Sequence, residues 1–290
     1  MAYRLGIRDA VHLSFILFML VMATLLAERY YLKGEREALD VSPESLGEVE
    51  SEISWYGIYM QEKKIGYSRT TVVRQDTLFI CTDHTYLAFK MIGRDKSINT
   101  YARAVTDSKL RLLSFIFTIT GEDTDFGLRG QVAEDVLNLS ITVGGESRGE
   151  QIPLDEPPQL PSTVQLLLAG RELNEGDRFS TTVFDPSAMS NIQLEIEVLG
   201  RETILYNGSQ TQVWHIRQEM GGMRVDTYID DRQRLLEERS EMGYRVVLED
   251  EIKARTGNWR QGEPISRDWL PWCLTALFPK RAGLPRSSSS

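Results

Sequence analysis

The chain has 290 residues, 41% of them apolar and 26% charged, with 33 Lys and Arg against 42 Asp and Glu for a net charge of −9. That is the composition of a globular protein of one or two domains, and an acidic surplus with no basic face excludes a nucleic-acid partner. The two cysteines, Cys81 and Cys273, are far apart and form no CxxC pair, so a zinc site or a dithiol redox motif is excluded, while a disulfide between them stays open.

The first predicted element is VHLSFILFMLVMATLLA, residues 11–27, which carries no charge. As a helix it would be about 25 Å long, near the lower limit for crossing a bilayer. Arg4 and Arg8 precede it, so residues 1–10 are expected in the cytoplasm and residues 11–27 in the lipid bilayer, with the bulk of the chain on the other side. A cleaved signal peptide ending at Ala27 competes with this reading. Leu25, where cleavage wants a small residue, favours an uncleaved signal-anchor. Residues 28–52, mixed in charge and rich in Glu, Ser and Gly, read as a polar stalk.

Residues 53–254 read as an antiparallel β domain. It opens on WYGIYMQEKKIGYS, residues 55–68, two apolar bursts about a Gln-Glu-Lys-Lys turn, which predicts a hairpin with Gly57 and Gly66 allowing close backbone approach. Leu113–Ile119 and Val136–Val143 follow as strands. Ile192–Val198 alternates without a break, and Asn207-Gly208 marks a hairpin, so residues 192–216 are expected to hold three strands. Asp107–Leu113 and Asp230–Leu236 share the pattern D-x-x-x-R-L-L. It implies either one turn chemistry used twice or a domain of two similar meanders.

Between the strand-rich halves, EPPQLPSTVQLLLAG, residues 156–170, starts with prolines that prevent sheet pairing and continues as a short apolar helix ending near Gly170. Val164, Leu166, Leu167 and Leu168 would pack on the concave face of a curved sheet, either completing the core or leaving room for an apolar ligand. The expected fold is mainly β: curved antiparallel sheet, as a half-barrel or two meanders, around that helix and behind one transmembrane helix.

WYGIYMQEKKIGYS, YLAFKMIG at 86–93, RLLSF at 111–115, LNEGDRF at 173–179 with VFDP at 183–186, and VLGRE at 198–202 stand together in an order that resembles a known bacterial type. It is the extracytoplasmic β-rich domain preceding the catalytic domain of transglutaminase-like membrane proteins. The resemblance implies a single-pass protein of the bacterial cytoplasmic membrane with its bulk on the periplasmic or extracellular side. It also implies an accessory role, with a separate transglutaminase-like chain among the candidate protein partners.

The catalytic domain of such proteins would follow residue 250, where only about forty residues remain, with Cys273 and no histidine. His12 lies in the membrane run, His215 in an alternating strand, and His84 three residues from Cys81, on the opposite face of a strand. No nucleotide-binding, metalloprotease or nucleophile-elbow motif is present, and the acid clusters at 122–125 and 249–251 lack the spacing of a calcium loop. No catalytic, cofactor or metal residue is assigned. The expected function is a non-catalytic module acting through protein or envelope contacts, or alternatively a carrier of an apolar, lipid-like ligand held by sheet and helix. The irregular tail, residues 255–290, contains an apolar segment whose Trp269, Trp272 and Phe278 are candidates for membrane or partner contact.

Overall fold

The computed structural model describes Glu37–Ala38 and residues 51–257 apart from 92–93, 123, 155–157, 170 and 187. The membrane run, most of the stalk and the tail with Trp269, Trp272 and Phe278 lie outside the described residues. After a two-residue strand β1 (Glu37–Ala38), eight strands run in sequence: β2 (Glu52–Met60), β3 (Lys63–Gln75), β4 (Leu78–Met91), β5 (Arg94–Thr106), β6 (Leu112–Gly121), β7 (Thr124–Ala133), β8 (Val136–Val143) and β9 (Glu146–Pro153). A 3₁₀ turn (Pro161–Thr163) leads into α1 (Val164–Ala169), and then come β10 (Arg178–Asp185), β11 (Ser190–Tyr206), β12 (Ser209–Met220), β13 (Met223–Ile229), β14 (Leu235–Ser240), β15 (Tyr244–Glu249) and α2 (Glu251–Arg255).

All strands belong to one 15-stranded sheet, in which β10 to β15 lie in chain order, β15 is followed by β2, and β2 to β9 continue in chain order. Two meanders are therefore joined where the last strand pairs with the first. That seam is antiparallel, with Val247 opposite Gly57 and Leu248 opposite Tyr56. The fold is mainly β with one large antiparallel sheet and a short helix, as the periodicity implied.

Turn chemistry sets the registers. Gln61 and Glu62 both take positive φ (48° and 65°), so the opening hairpin turns on these two residues, with Lys63 and Lys64 already paired to Met60 and Tyr59. Two positive φ values are the requirement of the tight hairpin turn, and Asn207-Gly208 (49° and 78°) meets it in the same way. The expectation of three strands over 192–216 is corrected to two. Gly200, at φ 113°, makes a bulge next to Val198 rather than a break, so β11 runs through it as one strand of 17 residues.

The inward face of the first meander is closely apolar: Leu128 and Leu137 are fully buried, as are Phe79, Leu112, Ile119 and Ile141. Val164, Leu166, Leu167 and Leu168 all join this core, so α1 sits where its apolar surface required. On the other side of the sheet Ile204, Val213, Tyr228 and Leu236 form a second, smaller core. Between the helix and the meander the chain lies along β10, where Gln159 accepts from Phe184 N at 2.7 Å and shields part of that sheet edge.

Candidate functional site

Beneath α1 the core is interrupted by a cavity of about 230 Å³. Thr70 of β3 and Asp83 of β4 come to it from the first meander; Gln218 of β12, Thr227 of β13 and Glu238 of β14 come from the second. Pro161, Val164, Gln165 and Leu168 close it from the helical side. In sheet order these strands flank β15 and β2, so the polar lining lies on both sides of the seam.

Strand alternation explains how a carboxylate arrives there. Cys81, Leu87 and Phe89 are buried on the inward face of β4, and Asp83 shares their phase. Its register partner Thr70 donates a hydrogen bond to Oδ1 at 2.6 Å. Thr227 stands opposite Glu238, and Gln218 Nε2 donates to Thr227 Oγ1 at 3.0 Å. Glu238 itself has no hydrogen-bond or ion-pair partner among the described residues. Both side chains are half-buried and open onto the cavity. Burial pushes Asp83 up to about 6, with the Thr70 hydroxyl opposing, and pushes Glu238 up to about 7. Tyr56 of β2 is raised by burial and by the nearby Glu238 and Asp83 charges, with a bond to Ser54 opposing, so its phenol stays protonated.

Gln233 completes the lining and comes from the second D-x-x-x-R-L-L segment. Asp230 Oδ1 accepts from the backbone N–H groups of Arg232 and Arg234, both at 2.9 Å, and Arg234 clasps its other oxygen. The first segment is the same turn: Asp107 Oδ1 accepts from Lys109 and Arg111 at 2.9 Å, and Arg111 clasps Oδ2. Each turn joins the fourth and fifth strands of its meander and places a residue at φ near 60°, Leu110 in one and Gln233 in the other. Leu110 is fully buried in apolar core. Gln233 donates through Nε2 to Arg171 O at 3.0 Å, while its Oε1 is buried without a partner.

Of the four α1 residues expected at an apolar ligand face, Val164 and Leu168 line the cavity, while Leu166 and Leu167 pack into the core. Asp83, Glu238 and Gln233 were not anticipated. The signal for Asp83 was a charge in the apolar phase of C-T-D-H-T-Y-L-A-F; for Glu238 the bulge between Tyr228 and Ile229 hides the phase of LLEERS.

Elsewhere several charged groups that sequence reading singled out have structural partners. Cys81 is a free thiol in the core, pushed by burial and then by Asp83 up to about 12, and His84 is exposed on the opposite face against Tyr101. His215 lies between Glu202 (2.9 Å) and Asp226 (3.1 Å) and stacks on Tyr228. Glu249, its side chain fully buried, takes Lys64 Nζ at 2.6 Å and the Tyr59 hydroxyl at 2.7 Å; burial would raise it, but these partners and Lys253 hold it low. Asp250 caps α2 by accepting from Lys253 N at 2.8 Å, and Glu251 pairs with Arg255. The acids at 249–251 thus close the seam, and Glu122 meets Lys96 at 3.2 Å. Among the described residues no group of three or more His, Cys, Asp or Glu stands ready to hold a metal ion. A wider, open groove of about 540 Å³ crosses β5 to β8 near Arg103 and Arg129.

No family model matches the chain, and no curated protein matches it. The resemblance to the transglutaminase-associated domain therefore rests on the residues quoted for it. Among solved structures, the chain is similar to the crystal structure of a beta-barrel-like protein of Domain of Unknown Function DUF1849 from Brucella abortus. The TM-score is 0.51 at 10% identity, over 70% of this chain and all of that one. A DUF1089 family protein from Pseudomonas aeruginosa aligns at a TM-score of 0.36 and 14% identity, over 58% of this chain and 87% of that one. At such identities the first likeness speaks for the fold alone.

Proposed function

We propose that this chain is a non-catalytic binding module, displayed outside the cytoplasm on an N-terminal membrane anchor, whose curled, half-barrel-like sheet holds a small molecule in the cavity beneath α1. The observation that carries the reading is the cavity itself, enclosed by both meanders and the helix and lined by polar groups that the fold does not need. An interior used only for stability would be closed with apolar side chains, or with polar groups paired to one another as Glu249 is with Lys64 and Tyr59. The anchor rests on the uncharged run at residues 11–27 and the basic residues before it. Interaction with envelope proteins, including a transglutaminase-like chain, fits the same display but has no surface feature in its favour comparable to the cavity.

Filling the cavity tests this. Thr227→Met in the full-length chain replaces a lining hydroxyl by an apolar side chain of greater reach. A panel of small polar and apolar molecules, read by thermal shift, should contain members that stabilise the wild-type protein and not the variant. A panel that stabilises neither protein, or both alike, would remove the basis for the reading.

A further inference from the structure

The cavity also says which chemistry it would take, on the premise that it binds a small molecule at all. Its unmatched polar groups include three acceptor-bearing side chains, alongside the amide of Gln165 and the hydroxyl of Ser162. Glu238 has no partner, Asp83 has only the Thr70 hydroxyl on one oxygen, and Gln233 Oε1 is buried with none. Among the described residues no Lys or Arg lines the cavity, so two carboxyls face the space with no described cation in the lining. The ionisable groups near the pair are acidic too: Tyr56 from β2, which feels both charges, and Cys81 from β4, which feels Asp83, while Ser162 and Gln165 are the polar side chains on the helical side. Ile229, Leu235, Val164 and Leu168 supply an apolar wall.

We infer that the cavity is a site for a small organic ammonium, whose N–H donors meet Asp83, Glu238 and Gln233 while a short alkyl stem lies against α1 and β13. A half-buried carboxylate site that supplies no countercharge gains most from a ligand bringing both the charge and the hydrogen-bond donors. A neutral apolar molecule would leave all three acceptors unsatisfied. The volume, at the small end for ligand pockets, suits a stem of a few carbons.

The test is calorimetric titration of the full-length protein in detergent with n-butylammonium, n-butanol and calcium ion near pH 8 and near pH 5.5. Butylammonium should bind near pH 8 and bind roughly tenfold more weakly near pH 5.5, because protonating the carboxyls removes the charge it meets. Asp83→Asn and Glu238→Gln, isosteric changes whose folding is checked by thermal melting, should each weaken it by roughly ten- to a hundredfold. Butanol should bind far more weakly and with no pH dependence. If butanol binds as well as butylammonium, the inference is wrong while the binding-module reading survives. Preferential calcium binding would overturn it equally. If nothing binds and Thr227→Met changes no ligand response, the binding-module reading itself fails. The pH dependence in the wild-type protein keeps the test decisive even if a variant does not fold.

Discussion

The two D-x-x-x-R-L-L turns have the same backbone, the same Asp-to-backbone bonds and the same Arg clasp, yet they deliver opposite side chains to the interior. Leu110 enters a core of Leu112, Phe115, Ile119 and Leu128, where the Thr106 hydroxyl, opposite Leu112, is buried without a partner but no carboxyl is present. Gln233 enters one where Asp83, Thr227 and Glu238 surround a cavity. The comparison separates what builds the sheet from what occupies its inner face. Turn chemistry and strand phase are alike in both halves, and the difference lies in residue choice at inward positions. One part of the interior is optimised for packing. The other carries two carboxyls whose ionised forms the fold disfavours, which is the pattern of a site that sacrifices stability for another purpose.

The contrast can be broken most severely in the apolar half. Leu128→Ala removes a fully buried side chain from the apolar core, and should cost about 2–5 kcal/mol by denaturant unfolding. A loss of similar size, about 3–5 kcal/mol, is expected for Glu249→Ala at the seam, because Lys64 would be left nearly buried without its carboxylate. Since partners hold Glu249 low, its contribution is present above the ordinary carboxylate range and is lost as pH falls through its lowered folded value. A pH-independent loss in this variant would show that its packing, not its charge, matters.

Exchanging the turn residues sharpens the comparison. Leu110→Gln should destabilise by about 2–3 kcal/mol, because it buries an amide among apolar side chains. Gln233→Leu removes an acceptor with no partner but also the bond from Nε2 to Arg171 O, and should change stability by no more than about 1 kcal/mol in either direction, while abolishing any ammonium response. Equal losses in both exchanges would mean that the two halves tolerate polarity alike. Smaller losses than that of Leu110→Gln are expected from the turns themselves. Asp107→Ala and Asp230→Ala should each cost about 1–2 kcal/mol, and by nearly equal amounts, since each Asp accepts from the same two backbone donors.

Much of this architecture was legible in the sequence because it depends on local chemistry. Alternation gave β8 at its observed limits, Asn207-Gly208 gave its turn, and the repeated Asp pattern marked two equivalent connections. Gly57 and Gly66 do admit close approach: a Cβ at Gly66 would lie 2.0 Å from Tyr86 O, and one at Gly57 would lie 2.4 Å from Glu249 Oε2. The Gly200 bulge was not legible, because a glycine between alternating runs reads equally as a turn. The site was least visible. It exists only because β15 pairs with β2 and brings Asp83 and Glu238, more than 150 residues apart, onto one concave face. No local pattern encodes that seam pairing, so a cavity between helix and sheet could be anticipated while its acidic character could not.

The central claim is that Asp83 and Glu238 are held inside at a cost to the fold. For carboxyls raised above their unfolded values, stability is greatest below the unfolded range near pH 4 and falls as pH rises through about 6 and 7. The decisive measurement is urea unfolding of the wild-type protein and the Asp83→Asn/Glu238→Gln double variant across that range. The variant should be more stable by about 2–4 kcal/mol near pH 8, a figure reduced for the water the cavity admits, with the two proteins converging near pH 4. A double variant that is equally or less stable near pH 8 would show that the carboxyls support the fold, and would contradict the reading of the cavity as a binding site.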